Sequence, residues 1–210
     1  MNEEFFIEPL FSSPVYNSFI NIDIKPFLNF ALKQEKAPQY DTITNQLQKN
    51  VSFSSLDLNV LRHKPLKKLN DKIIEHINTY TKDVLKYETD FKLTTSWLTF
   101  TDPGSSSQMH RHQNSKFSGI VYLQTDENSG DLSFENYNCG DFMLNIKEYN
   151  IYNSELWIYK PFNNKIIIFP SHLHHKILKN NSNIQRVSLA FNLMPVGTFG
   201  RDDSTLTLKY

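Results

Sequence analysis

Five of the seven histidines fall in two short clusters, Met109-His110-Arg111-His112 and His172-Leu173-His174-His175. A neutral imidazole offers one lone pair near physiological pH, which makes histidine the commonest metal ligand. Residues i and i+2 of an extended segment point to the same face. His110 and His112 can therefore approach one ion together while Arg111 points away. A third ligand has to come from elsewhere, and the second cluster supplies candidates. Imidazoles suit iron, zinc, copper or nickel, so the histidines alone do not name the metal.

An arginine adds a second kind of chemistry. Ten residues separate His175 from Arg186, room for a strand, a turn at Asn180-Asn181-Ser182-Asn183 and the next strand. That spacing predicts that Arg186 returns alongside the metal-binding strand, with Ser188 on the same face. A guanidinium forks onto a carboxylate, and a serine hydroxyl adds a third hydrogen bond. Arg186-Val187-Ser188 thus suits the far carboxylate of a dicarboxylic acid whose other end chelates the metal.

The elements that must position these groups read as helices followed by strands. Leu10–Tyr16 looks extended, and a helix opens near Asp23 with Pro26 in its first turn. Apolar residues at three- and four-residue spacing from Leu66 to Leu85 predict a second helix over Pro65–Tyr87. The polar stretch between, roughly 36–62, gives no pattern. From Phe91 onward short β-type runs alternate with turns, at 91–101, 117–124, 131–134, 156–159, 165–169, 176–178 and 185–194. Asn128-Ser129-Gly130 and Asn163-Asn164 are turn-like, because Asn and Gly tolerate positive φ. The expected fold is mainly β with flanking helices, a jelly roll of the cupin-like kind. The expectation is one domain over 1–210, with a helical part over about 1–90 and the jelly-roll core over about 91–195.

With 22 Lys+Arg against 22 Asp+Glu the formal net charge is zero. Read without basic runs, such a balance gives no nucleic-acid footprint. The longest apolar stretch, Ile166–Phe169, is far too short to span a bilayer, and the N-terminus does not read as a signal peptide. The single cysteine, Cys139, excludes an internal disulfide and fits a reducing, cytoplasmic setting. Oligomeric state is left open by the pattern.

At this point the sequence resembles the 2-oxoglutarate- and Fe(II)-dependent oxygenases, and most closely a family of small oxygenases from marine bacteria and phages. Four motifs in order carry the likeness over about 95–195. They are His110-Arg111-His112 running into Ser118-Gly119-Ile120-Val121-Tyr122-Leu123, then Ser129-Gly130-Asp131-Leu132-Ser133-Phe134, then Phe169-Pro170-Ser171-His172-Leu173-His174-His175, and last Arg186-Val187-Ser188-Leu189-Ala190-Phe191-Asn192. The resemblance implies a double-stranded β-helix, with Fe(II) as cofactor, 2-oxoglutarate as cosubstrate and O₂ as oxidant. By motif position it makes His175 the distal iron ligand, joined by His110 and His112. It makes Arg186 the clamp on the cosubstrate's C5 carboxylate, with Ser188 assisting and the Tyr122 hydroxyl within reach. His174 points to the opposite side of its strand, and His172 lies in the turn after Pro170. The implied reaction is oxidative decarboxylation to succinate and CO₂ coupled to oxidation of a C–H bond, with hydroxylation the default outcome.

His112 stands where most of the wider superfamily has a carboxylate. Three neutral imidazoles leave the iron centre at +2, and dianionic 2-oxoglutarate then neutralises it. A carboxylate from another strand, Asp131 or Glu135, would be the alternative third ligand. The substrate, a small molecule or a peptide, is not specified by the motifs. Trp97, Phe100, Tyr137 and Trp157 are candidates to line its pocket, and segment 136–155 is a candidate lid or substrate loop. Two other readings stay open, a three-His cupin-type dioxygenase without cosubstrate, which leaves Arg186 without a role, and a non-enzymatic jelly-roll binding module.

Overall fold

In the computed structural model, residues 6–40, 44–137, 142 and 144–209 are described. Cys139 and part of the candidate loop 136–155 lie outside them. Helix α1 (Lys25–Ala31) starts where expected, with Pro26 in its first turn and the Asp23 carboxylate accepting the Lys25 backbone N–H at 3.0 Å. The second helical run opens with a 3₁₀ turn (Lys64–Leu66) and continues as α2 (Lys67–Asn78). It then widens into a π-turn over Thr79–Val84. There the Thr79 and Thr81 hydroxyls donate to the carbonyls of Glu75 and Ile77, at 3.1 and 2.8 Å, competing with the i→i−4 ladder. Leu69, Ile73 and Ile77 form the buried stripe of α2.

Two antiparallel sheets face each other. Strands β1 (Tyr16–Phe19), β2 (Phe53–Ser54), β3 (Asp90–Thr101), β4 (Phe117–Gln124), β7 (Lys165–Pro170) and β9 (Arg186–Phe199) form the large sheet in the order β1-β7-β4-β9-β3-β2, and β10 (Leu206–Leu208) adds to β9. Strands β5 (Leu132–Glu135), β6 (Leu156–Tyr159) and β8 (His174–Ile177) form the small sheet in the order β6-β5-β8. This is the double-stranded β-helix expected, mainly β with helices on one face. The sequence pattern places every strand from β3 to β9 to within a few residues. It misses β2 and β10, which are too short to show a pattern, meets β1 only at Tyr16, since the run expected over Leu10–Tyr16 is irregular up to there, and stops β9 at Met194 although the strand runs on through Pro195 to Phe199.

Strand alternation divides the core into two parts. Val121, Leu98, Phe100, Val187, Leu189 and Phe191 pack on the helices. Ile120, Tyr122, Ile167 and Phe169 of the large sheet pack against Leu132 and Phe134 of the small one. Gly119 sits on the helix side, where a Cβ would land on the Phe191 ring, so only the smallest residue lets β4 and β9 close over that ring. Two positive-φ positions fall at the turns read from sequence, Gly130 at +81° and Asn164 at 68°.

Candidate metal centre

The turn Ser171–Leu173 after β7 leads into β8, and alternation then turns His175 inward and His174 outward. His175 is 5% exposed, at the small sheet's inner face between Phe134 and Phe169, with ring centroids at 5.8 and 4.8 Å. His174 lies instead against the Tyr137 ring, at 4.3 Å. His172 is exposed in the turn. The segment carrying His110 and His112 is extended but lies outside the regular strands. It runs antiparallel to β8, held by reciprocal bonds from the His110 N–H to the His175 carbonyl (3.0 Å) and back (2.8 Å). The His112 N–H donates to the Ser171 carbonyl at 3.1 Å.

This pairing gathers the three rings. The candidate ligand atoms of His110, His112 and His175 all lie within 4.8 Å of one another, the one group of metal-capable side chains among the described residues. The Nε2 atoms of His112 and His175 are 3.2 Å apart, and the two rings are almost parallel (3°). At that spacing both can reach one ion at the roughly 2.0–2.1 Å of a metal–imidazole bond. Backbone carbonyls fix the other ring nitrogens. His110 Nδ1 lies 2.9 Å from the Gln108 carbonyl, and His175 Nδ1 lies 2.8 Å from that of Leu173. A carbonyl only accepts, so Nδ1 carries the proton in both rings and each Nε2 lone pair is left for a cation. Glu135 does not join the group, since Lys176 holds its carboxylate at 2.8 Å. Asp131 is not in it either.

Of the side chains around His112, the sequence named Trp97 only as a candidate to line the substrate pocket and gave Asn192 no role. Trp97 stacks on its ring, centroids 5.4 Å apart. The Asn192 side chain lies beside the ring, donates to Thr95 Oγ1 at 3.1 Å and accepts from Ser118 Oγ at 2.8 Å. The signal was available, because alternation along β9 puts Asn192 on the face of Arg186 and Ser188. Phe100 is wholly buried on the helix side, so it lines no substrate pocket, a correction to the sequence reading. Alternation in β3 puts Leu98 and Phe100 on the face opposite Trp97, Thr99 and Thr101.

Burial holds these histidines neutral. It lowers His175 from 6.5 to about 3 and His112 to about 4, and the neighbouring His110 acts in the same direction. Between pH 6.5 and about pH 4 the unfolded chain binds protons that the folded chain refuses. Stability contributed by the neutral rings is therefore full above pH 6.5 and lost as pH falls through that window. At pH 5 the 5%-exposed His175 alone accounts for about 2 kcal/mol. Urea denaturation of the metal-free protein at pH 7 and pH 5 measures this, and equal stability at the two values would contradict buried neutral rings.

Arg186 opens β9 on the inner face and has no exposed surface. The sequence placed it beside the metal-binding strand. Instead β9 lies between β4 and β3 in the large sheet, while β8 belongs to the small one. The connection after β8 crosses between sheets, because residue spacing fixes the length of a connection and not the sheet it enters. The guanidinium carbon lies over the Tyr122 ring at 4.9 Å, and Nη1 makes a long contact of 3.4 Å to Ser188 Oγ. Arg186 Nε, Arg186 Nη2 and Tyr122 OH are all buried with no hydrogen-bond partner among the described residues. Burial lowers the arginine's pKa and raises the tyrosine's. A buried guanidinium with no carboxylate bound to it is costly. Three unused donors converging beside Ser188 fit a carboxylate ligand.

Residues 95–192 match the model of the family described as "Putative 2OG-Fe(II) oxygenase". The fold is similar to an oxidoreductase of the 2OG-Fe(II) oxygenase family from Burkholderia pseudomallei, at TM-score 0.60 and 9% identity over 86% of this chain and 84% of that one. It is similar to a Pseudomonas putida prolyl-4-hydroxylase at TM-score 0.55 and 11% identity, covering 86% and 93%. It is also similar to HygX from Streptomyces hygroscopicus, solved with nickel, 2-oxoglutarate and hygromycin B, at TM-score 0.60 and 11% identity, covering 87% and 83%. At these identities the likeness speaks to the fold. No curated protein matches the sequence.

Proposed function

We propose, from the match of residues 95–192 to the family described as "Putative 2OG-Fe(II) oxygenase", that the chain is an Fe(II)- and 2-oxoglutarate-dependent dioxygenase that hydroxylates its substrate with release of succinate and CO₂. Bound iron and 2-oxoglutarate would supply the activation of O₂ and the oxidation of a C–H bond. The chain's part is to hold and orient them. His110, His112 and His175 are the proposed iron ligands through Nε2, with the Gln108 and Leu173 carbonyls orienting two of the rings. Arg186 takes the C5 carboxylate of 2-oxoglutarate, with Ser188 and Tyr122 completing its hydrogen bonds. Three neutral ligands leave a dipositive ion that the cosubstrate dianion neutralises. We propose a single domain over 1–210.

The observation that carries this reading is the pair of features in the interior between the two sheets, three imidazoles converging without a carboxylate and a wholly buried arginine with unpaired nitrogens. The second feature separates it from a cosubstrate-free three-His dioxygenase, in which Arg186 would have no task. The test is anaerobic titration with Fe(II) and 2-oxoglutarate, followed by O₂. A weak visible charge-transfer band should appear only with both present, and succinate should form on aeration. Iron binding without the band would sink the proposal and leave the cosubstrate-free alternative.

A further inference from the structure

The zero net charge of the chain conceals a local concentration of basic groups. Arg62, His63, Lys64 and Lys67 follow one another over a 3₁₀ turn at Val60–Arg62, the one at Lys64–Leu66 and the start of α2, with Asp57 holding His63 at 2.6 Å. They border a groove of about 810 Å³ that lies outside the jelly-roll interior. One wall is a stripe of α2, where Lys67, Asn70, Asp71, Ile74 and Ile77 recur at helical spacing. The facing wall is the first half of β3, Phe91–Ser96.

That half of β3 is an open sheet edge. On one side β3 pairs with β9 along its length. On the other it pairs with β2 only at Phe100 and Thr99, and it bridges to Asn59 at Ser96. N-terminal to Ser96 no described strand pairs with that side. A strand edge facing a helix across a groove is the geometry that accepts an extended peptide as an extra strand. Main-chain hydrogen bonds supply affinity there, and alternate side chains supply selectivity. Six residues of strand span about 20 Å at roughly 3.3 Å each, so the edge matches a ligand segment of about the same length.

Charge selects the ligand. Asp71 is the one carboxylate among the described lining residues, and Lys67 holds it at 2.7 Å. Arg62 and Lys64, both exposed, add positive charge to the rim. The floor is apolar at Leu61, Ile77 and Leu93, and the buried Asn70 Oδ1 has no donor among the described residues. A peptide N–H or side-chain amide would supply one. The β3 edge also carries a register shift between Leu93 and Thr95, and Lys92 stands on it. Bulges and edge lysines discourage pairing with arbitrary strands. They repel a second copy of this basic edge while leaving an acidic segment favoured, so protection and selection are the same device.

The groove continues toward the histidines. A cleft of about 490 Å³ shares Arg62 and Lys92–Thr95 with it and is bounded further on by Gln113, Asn114 and Asn192. Gln113 follows His112 in the chain, and the Asn192 side chain lies beside the His112 ring.

We propose that this groove binds an extended acidic peptide as an added strand on β3 and, resting on the oxygenase reading above, that such a peptide is the class of substrate. The reaction would then convert a peptide C–H to C–OH, one oxygen atom of O₂ entering the peptide and the other the succinate formed from 2-oxoglutarate with loss of CO₂.

The test uses the ¹⁵N-labelled full chain without added metal, so that it does not depend on the iron site. Two pools of acetylated hexapeptide amides are titrated, Glu-X-Glu-X-Glu-X and Lys-X-Lys-X-Lys-X, with X an equal mixture of Ala, Val, Leu, Tyr and Asn. The glutamate pool should shift the backbone amides of Phe91–Thr95 and the side-chain amide of Asn70, and the lysine pool should not. The exposed double variant Arg62→Glu/Lys64→Glu should weaken the glutamate pool at least 10-fold. N-methylation of the peptide at one set of alternate residues should abolish binding, and at the other set should spare it. No shift from either pool, equal shifts from both, shifts confined to another surface, or indifference to both N-methylated sets would each overturn the groove assignment. Iron, 2-oxoglutarate and O₂ are added last, and the peptides are weighed. Binding in the groove with 2-oxoglutarate turnover but no gain of one oxygen overturns the substrate assignment alone. Binding with no 2-oxoglutarate turnover overturns the oxygenase reading and leaves the groove standing.

Discussion

Changing His175 to alanine should lower iron affinity by more than about 100-fold and reduce 2-oxoglutarate turnover to background. Loss of a group that merely orients a ligand typically costs 10–100-fold, and removal of a ligand itself should exceed that. His175 is the most enclosed of the three rings, fixed by its own backbone pairing with His110 and by the Leu173 carbonyl. Neither His110, which is exposed, nor His112 can move to replace it. The neighbouring His174→Ala is the control, since that ring sits outside the jelly roll against Tyr137 and its loss should leave metal binding within about 2-fold. Isothermal titration with Fe(II) or Co(II) under argon reads both variants. Equal losses in the two would mean that the cluster acts through the fold and not through one ligand. His112→Ala sharpens the result further. If it kept both iron and turnover, a carboxylate from elsewhere would have to complete the site, against the Lys176 contact that occupies Glu135.

What could be read in the sequence was mostly a matter of faces. Alternation along β9 put Arg186 and Ser188 on one side, and alternation in β8 set His175 apart from His174. Both are local properties that a period of two determines. What could not be read was which sheet each face belongs to. His175 and Arg186 stand on opposing sheets, not on neighbouring strands, and only the closed topology shows that they share an interior. Groupings made by distant segments were equally hidden. The basic groove joins residues 62–67 to Lys92, and the Asn192 network joins β3, β4 and β9. Formal charge counted over the whole chain averages the first away. Phe100 was misplaced although local alternation separates it from Trp97, because the apolar Leu98–Phe100 face of β3 meets the helices and the Trp97 face meets the histidines.

Arg186→Met should separate the cost of the proposed cosubstrate site from its use. In the chain without 2-oxoglutarate, the guanidinium is wholly buried, and two of its nitrogens lack hydrogen bonds. Its compensations there are the Tyr122 ring at 4.9 Å, a long contact to Ser188 and the more distant charge of Asp131. Replacing buried ion pairs by apolar residues is often neutral or stabilising by 1–4 kcal/mol, and here no paired anion would be lost. The variant without cosubstrate should therefore be more stable than the parent by about 1–2 kcal/mol, which for a chain of this size raises the Tm by roughly 2–8 °C. With 2-oxoglutarate the order should reverse. The parent gains RT ln(1 + [L]/Kd), about 2.7 kcal/mol at a hundredfold excess over Kd, whereas the variant should gain nothing measurable. Differential scanning calorimetry of both proteins, loaded with Co(II) and with or without 2-oxoglutarate, gives all four values. A variant less stable without cosubstrate and still stabilised by it would mean that Arg186 is structural and that the carboxylate binds elsewhere. The crossing of the two stability orders is the result that a purely structural arginine cannot produce, because such a residue contributes equally whether or not the dicarboxylate is present.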